Sequence, residues 1–489
     1  MKNLINNLPL NIKENQKFLI SLNLSIGLAI FSILLIKYLF NKVPNDVPIW
    51  YTKPWGREQT AERLFLYTIP LLQIIFTLIN SLVMNYSINK RRNEYVGVFS
   101  YLGTFTNLSL FAFLLRILSI TTFFPFSIID PRFLQLVPPF LLSLLISLIS
   151  GKFVIKLAKK FDIVTNPQTD THPAMLINRT VPRAGALAFY IGFIATSLLF
   201  LPLNSKKFIG IYVGTTLAII LGILDDKFKD INRYLRLILL SGIAAVTSLF
   251  GVLTFYLNNP FGGALKLDII PLQIEVAGSI HKIFPIAVIF SIVWIIWVMN
   301  TISWSNGIDG QFAGIAGITA LTIALLSLRF APTNSENINV ATLAIITAGA
   351  VFGLTPYTWY PMKIMWGFGA TAVGLVLASI SILSVSKVAV ASLVLLVPFL
   401  DALFAIIRRI SRKKSPFFGD REHFHHKLLD MRWTMPQIAI FYWVVTFVLG
   451  TLALLYSDKG KILTLITFGG IFGFILIIFN LFNRNAHKT

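Results

Sequence analysis

The chain has 489 residues, 56% of them hydrophobic and 13% aromatic, with only 13% charged, against the roughly 25% usual in soluble domains. With a mean hydropathy of +0.76 and no cysteine, this composition excludes a soluble globular protein, a disordered chain and a secreted disulfide scaffold. The excess of 42 Lys+Arg over 20 Asp+Glu, formally +22, fits nucleic acid, an acidic membrane surface or an anionic substrate, so the location of the charges decides between them.

A run of about 20 apolar residues crosses a hydrocarbon core, and by that rule the sequence predicts about 14 spans. Three come first, near 17–40, 62–85 and 97–119. Eleven follow, near 133–151, 184–203, 208–224, 236–257, 284–302, 311–329, 339–356, 367–384, 388–408, 435–456 and 462–482. The runs are long and do not alternate, so helices are expected rather than barrel strands. The expected fold is therefore all-α, a polytopic membrane helix bundle. Residues 1–130 form an N-terminal extension of three helices and 131–489 the core with its loops. The first apolar run is too long for a cleavable signal peptide. No internal repeat or low-complexity tract is evident.

With Met1 on the cytoplasmic side, the loops there collect roughly 25 Lys/Arg against roughly 11 opposite. The clusters are Lys90-Arg91-Arg92, Lys152 to Lys160, Lys227 to Arg236 and Arg409 to Arg432. Membrane orientation thus absorbs most of the excess charge, and no nucleic-acid partner is required. The aromatic loop Pro48 to Trp55 reads as an interfacial belt. Small residues such as Gly367, Ala370 and Gly374 allow close helix approach, with partners that the sequence does not assign.

Four polar clusters interrupt this pattern, all on the expected cytoplasmic side. The first runs from Asp162 to Pro167 and continues through His172 to Val181-Pro182-Arg183-Ala184-Gly185; positive-inside bias alone explains its arginines. The second is Asp225-Asp226, at the end of a span. Two carboxylates at a helix C-terminus oppose the macrodipole, so they read either as a base or magnesium-linked pair or as a solvated loop start. The third, Asn300 to Gly310, is dense in small polar side chains and contains Gly307 and Gly310. It reads as a ligand-approach segment or as an ordinary Asn-Gly turn. The fourth, Ser415 to His426, holds three of the six histidines within four residues. Phosphate binding beside Arg421, a basic surface loop and zinc all remain open there, although zinc lacks both a cysteine and a helical His pair with an adjacent Glu.

In order and spacing, these clusters resemble the polyprenyl-phosphate N-acetylhexosamine-1-phosphate transferase family (glycosyltransferase family 4), over roughly residues 133–482. Leu224-Asp225-Asp226 resembles the family's aspartate pair. Pro398 to Asp401, Arg408-Arg409, Pro416-Phe417 and Asp420-Arg421-Glu422-His423-Phe424-His425-His426 closely resemble its ninth helix and following loop. The His-x-His-His form is nearer to the bacterial N-acetylglucosamine branch than to the peptidoglycan branch. Of the family's Asn-x-x-Asn-x-x-Asp-Gly-x-Asp-Gly, Asn300 and Asp309 are kept, while Ser303 and Asn306 replace the second Asn and first Asp. Its Met-Gly-Asp-x-Gly aligns with Trp366 to Ala370, so the Asp has become Phe368. After the pair, Lys229 holds the third acidic position, with Asp230 one residue on.

The resemblance implies transfer of N-acetylhexosamine 1-phosphate from a UDP-sugar to polyprenyl phosphate, with release of UMP, at the cytoplasmic face of a plasma-membrane protein. Asp225 would deprotonate or orient the lipid phosphate. Asn300 and Asp309 would line the nucleotide-sugar site. Asp420, Arg421, His423, His425, His426, His172 and Arg183 would bind substrate. The implied cofactor is Mg2+. Since Ser303 and Phe368 stand at two of its ligand positions, Asp226 and Asp309 are left to hold it. The partners are then UDP-sugar, polyprenyl phosphate and the lipid bilayer, with a homo-oligomer left open. The alternatives are a catalytically impaired relative that binds polyprenyl lipid or acts as a scaffold, and a transporter or flippase, whose marks would be ionisable groups at span centres or broken paired helices.

Overall fold

The computed structural model describes residues 10–41, 43–49, 60–89, 93–121, 131–165, 179–229, 231–258, 263–276, 279–331, 336–384, 387–415, 423–456, 460–461 and 463–474. The chain divides into two compact units, Met1–Leu134 and Gln135–Thr489.

The first unit holds α1 (Leu10–Leu39), the antiparallel pair β1 (Asp46–Pro48) and β2 (Thr60–Glu62), a 3-10 turn at Arg63–Tyr67, α2 (Thr68–Asn89) and α3 (Asn93–Thr121). Ile36, Leu39, Leu66, Ile69, Leu114 and Ile117 form its apolar cluster. Arg63 lies over the Phe40 ring at 4.4 Å. Buried polar groups pair across helices: the Gln73 side-chain amide donates to the carbonyl of Asn107 at 3.1 Å, and Asn107 donates to Thr77 Oγ1 at 3.2 Å. Such pairing is required where no water can satisfy a buried amide.

The second unit begins within α4 (Pro131–Lys160) and continues with α5 (Gly185–Phe200), α6 (Lys206–Phe228) and α7 (Arg233–Leu249). Two short hairpins follow, β3 (Tyr256–Asn258) with β4 (Ala264–Lys266) and β5 (Leu272–Val276) with β6 (Ser279–Ile283). Then come α8 (Pro285–Trp304), α9 (Gln311–Arg329), α10 (Glu336–Gly353), the single turn α11 (Thr355–Thr358), α12 (Ala370–Leu383), α13 (Lys387–Val394), α14 (Leu396–Ser411), α15 (Phe424–Asp430) and α16 (Met435–Leu455). A last apolar helix, α17, covers Leu463–Phe474.

The protein is an all-α, multi-pass membrane protein. Among the described residues nine helices are long and apolar enough to cross a bilayer, or ten if α13 and α14, bent by 81°, form one broken span. The expected count of 14 differs because α5, α12 and α17 are apolar but short. In addition α7 stops at Leu249, short of the expected end at 257. Gly251 has a φ of +96°, and Tyr256–Asn258 is a strand.

Helices α9 and α10, largely buried, lie at the centre with α12, which is buried from Ala370 to Ile382. The partner of Gly374 is α8: a Cβ there would meet the Met299 Cα at 2.7 Å. Gly222 of α6 meets the backbone of Gly369 in the same way. Small residues thus draw α6, α8 and the start of α12 together, which brings the acidic pair on α6 to the loop before α12.

Candidate functional site

Asp225 and Asp226 occupy the last turn of α6, and the Lys229 amide, in a left-handed conformation at φ 61°, donates to the Asp225 carbonyl to end the helix. Both side chains are buried, at 4% and 2% exposure. Two buried carboxylates at the negative end of a helix need nearby cations, and two arginines supply them. Asn232 caps α7 by accepting from the Tyr234 amide at 2.9 Å, which sets Arg236 in the first turn against Asp225. Arg183 reaches Asp226 with Nε 3.0 Å from Oδ1. These are close charge contacts rather than aligned hydrogen bonds.

Arg183 is held by backbone on both sides. Its amide donates to the Ile163 carbonyl at 3.0 Å, the Met365 amide donates to the Pro182 carbonyl at 2.8 Å, and the Gly185 amide donates to the Met365 carbonyl at 2.8 Å. The loop 359–369 then runs past the acidic pair. The Phe368 amide donates to Asp226 Oδ2 at 2.9 Å, and the Phe368 ring lies beneath Arg236, 5.2 Å from its guanidinium carbon. Gly367 makes this approach possible. Its φ is +68°, and a Cβ there would strike both Asp226 Oδ2 and the Arg183 carbonyl oxygen.

The same loop reaches the third cluster. The Met362 amide donates to Asp309 Oδ2 at 2.9 Å, and Arg179 donates to the Met362 carbonyl. Burial raises the Asp309 pKa above its usual value, with the Met362 bond and Arg179 opposing the rise. Asn300 sits half-buried in the last turns of α8, its amide donating to the Ile296 carbonyl at 2.9 Å. Gly307 abuts the fourth cluster, since a Cβ there would strike the His425 imidazole.

In that cluster His423, at the start of α15, places Nδ1 2.9 Å from Asp401 Oδ2, while the Phe424 amide donates to Asp401 Oδ1 at 2.8 Å. Asp401 therefore orients the His423 ring and accepts from its Nδ1. His423 and His425 stack with centroids 5.7 Å apart and planes 4° from parallel, and His426 lies 4.4 Å from His425. Burial, then the neighbouring His426 and His423, hold the His425 pKa well below 6.5, with Asp401 opposing.

Four sequence clusters are thus joined through one loop and two turns. Arg183, Asp225, Asp226, Asn300, Asp309, His423, His425 and His426 are all on described elements, whereas His172, Asp420 and Arg421 lie outside the described residues. Arg236, Arg179, Gly367 and Asp401 were not singled out as site residues. A cation in the first turn of the helix that follows the acidic pair would have signalled Arg236. An acid inside an apolar run would have signalled Asp401.

The donors do not fit the divalent ion that the resemblance implies. Magnesium takes hard oxygen ligands, yet each carboxylate of the pair faces a guanidinium and Phe368 contributes a ring. Asp226 and Asp309, the two expected metal ligands, are engaged separately, by Arg183 with the Phe368 amide and by the Met362 amide. Among the described residues no three His, Asp or Glu side chains are grouped to hold a metal.

Two expected outcomes follow from the histidines. An imidazole protonates more readily in the unfolded chain than at the buried His425. The stability contributed by its neutral form is complete above the unfolded pKa of about 6.5 and is lost as pH falls from there toward the depressed folded value. Melting temperatures taken from about pH 8 down to about pH 5 should fall more steeply for the native protein than for His425→Gln; parallel curves would remove His425 as the source. Asp401→Asn should release the His423 ring, read as a change in its imidazole nitrogen shifts by NMR. Unchanged shifts would remove Asp401 as the group that orients it.

Comparison with known proteins gives a consistent picture. The glycosyl transferase family 4 pattern matches residues 208–385, which include the acidic pair, Asn300, Asp309 and Phe368. The chain is 26% identical over 358 residues to the probable undecaprenyl-phosphate N-acetylglucosaminyl 1-phosphate transferase of Bacillus subtilis, covering 72% of this chain and 92% of the relative. It is 24% identical to the decaprenyl-phosphate N-acetylglucosaminephosphotransferase of Mycolicibacterium smegmatis, over 66% of this chain and 82% of the relative. It is also 24% identical to the phospho-N-acetylmuramoyl-pentapeptide-transferase of Clostridioides difficile, over 64% and 95% respectively.

Proposed function

We propose that this chain, which matches the glycosyl transferase family 4 pattern over residues 208–385, moves N-acetylhexosamine 1-phosphate, foremost N-acetylglucosamine 1-phosphate, from a UDP-sugar to a polyprenyl phosphate such as undecaprenyl phosphate. UMP is released, and a lipid-linked envelope glycan is begun at the cytoplasmic face of the plasma membrane. The names of the Bacillus and Mycolicibacterium relatives specify N-acetylglucosamine on a polyprenyl phosphate, which supports this donor and acceptor.

The observation that carries the reading is the convergence of acids and arginines from segments far apart in sequence on the loop 359–369, with His425 packed against Gly307 in the segment that carries Asp309. That is what a two-substrate phosphoryl transfer needs, since positioning and charge neutralisation dominate such chemistry. A phosphate oxygen of the lipid attacks the sugar-bearing phosphorus of the donor. The bond from that phosphorus to the bridging oxygen breaks, and UMP leaves with that oxygen. A lipid phosphate dianion needs no proton removed, and Asp225, in contact with Arg236, orients that arginine toward the reacting phosphates. Asp226 locks Arg183 and the Phe368 amide in place. Asn300 and Asp309 line the nucleotide-sugar side. His423, His425 and His426 contact diphosphate or sugar, as would Arg421, Asp420 and His172.

The bent pair α13–α14 matches one mark expected of a transporter, but Asp401 on α14 is spent on His423 and the Phe424 amide. It therefore serves the site rather than an ion path. In the test, purified full-length protein receives radiolabelled UDP-N-acetylglucosamine and undecaprenyl phosphate. The expected result is label in a lipid diphosphate, lost with Asp225→Asn. Well-folded protein that binds lipid but transfers no label from several UDP-sugars would favour the impaired, lipid-binding relative.

A further inference from the structure

At the acidic pair, charge is already compensated from within the chain. Arg183 contacts Asp226 and Arg236 contacts Asp225, in both cases through Nε. Nε is one of five N–H donors on a planar guanidinium, so one Nε contact does not exhaust the donors of either arginine. The carboxylates are buried, while the Arg183 and Arg236 side chains are 28% and 26% exposed. The arginines therefore form the accessible layer and the acids the layer behind it.

Phe368 completes the arrangement. Its amide is fixed to Asp226 and its ring carries Arg236. A ring face attracts a guanidinium and holds its plane, whereas a carboxylate at that position would supply a metal ligand. Gly367 is the residue that lets the loop come this close. Phe368 thus offers a seat for an arginine and no side-chain oxygen ligand.

We propose that Arg183 and Arg236, held through Nε by Asp226 and Asp225 and steadied by the Phe368 ring, form a guanidinium clamp that binds a diphosphate without a divalent cation. Planar guanidinium forks match phosphate oxygens in pairs, which is the geometry a diphosphate offers. The identification of the anion as the UDP-sugar diphosphate rests on the transferase reading above.

The test uses full-length protein in nanodiscs, with UDP-N-acetylglucosamine as the probe for calorimetry and Mn2+ as the probe for metal binding by electron paramagnetic resonance. With EDTA present, donor affinity should stay within about threefold of its value in Mg2+, and Arg183→Gln or Arg236→Gln should each weaken it about tenfold or more, the scale of a lost charge-assisted hydrogen bond. The paired change Ser303→Asn with Phe368→Asp should create Mn2+ binding absent from the native protein and make donor affinity metal-dependent. This arm reads the clamp even if an arginine variant fails to fold.

Native donor affinity lost in EDTA and restored by Mg2+, or native Mn2+ binding abolished by Asp226→Asn, would overturn the clamp. If donor binding survives EDTA and needs both arginines while no UDP-sugar yields UMP, the clamp stands and the transferase reading falls. If UMP release occurs but vanishes in EDTA and returns with Mg2+, the transferase stands and the clamp falls.

Discussion

Asp226→Asn should lower sugar-phosphate transfer by about 10^2- to 10^3-fold, the scale seen when one organising electrostatic contact is removed from a phosphoryl or acyl transfer site. Asp226 is 2% exposed and joins two otherwise separate parts, Arg183 before α5 and the Phe368 amide before α12. The asparagine carbonyl still accepts from the Phe368 amide, so the loop stays docked. It carries no charge, so Arg183 loses its partner, and one member of a broken buried pair is costly, about 3–5 kcal/mol at the extreme. Turnover and thermal stability in detergent separate the two effects. A variant that melts near the native temperature yet turns over about 10^2-fold or more slowly fits the account, whereas unchanged turnover would mean that the acidic pair is structural.

The second large effect is expected at Gly367. Gly367→Ala combines two penalties. The φ of +68° disfavours any side chain, at about 1–2 kcal/mol, and the added methyl runs into Asp226 Oδ2 and the Arg183 carbonyl oxygen. The second contact is with backbone, which has no rotamer to yield. The loop must therefore shift away from α6, taking the Phe368 amide and ring with it. A total cost of about 2–4 kcal/mol is expected, read as a lowered melting temperature, together with loss of activity comparable to Asp226→Asn. The control is Gly473→Ala, where a Cβ meets nothing nearer than 3.7 Å. Native-like activity in Gly367→Ala would show that the loop need not touch the acidic pair.

Much of the architecture was legible because lipid imposes a simple rule: long unbroken apolar runs must be helices with every backbone group satisfied internally. The acidic pair was legible for the same reason, since two acids ending such a run have no helix-stabilising role. Span number was not, because apolar content does not separate a lipid-crossing helix from one buried in protein. Helix α12 is apolar from end to end and is packed around almost entirely by its neighbours. The end of α7 was missed because the apolar run continues into the strand after Gly251.

At the site, residue types were visible and pairings were not. Arg236 was hidden within a basic cluster that membrane orientation already explained. Phe368, one of 42 phenylalanines, was read as a missing ligand, and only three-dimensional packing reveals it as the seat of Arg236. Asp401 and His423 belong to adjacent motifs in the sequence, but the bond between them depends on how α15 folds back against α14. Gly307 gave no sign that it faces His425, because contacts between distant loops leave no periodic trace.

The central claim is that the chain transfers a sugar phosphate, so the nucleotide released decides it most directly. Purified protein is mixed with UDP-N-acetylglucosamine and undecaprenyl phosphate, and the soluble nucleotide is identified by mass spectrometry. Release of UMP, one per lipid diphosphate formed and none without the lipid, is the predicted result. Release of UDP would mean transfer of the sugar alone and contradict the account, as would no nucleotide from folded protein that binds both substrates.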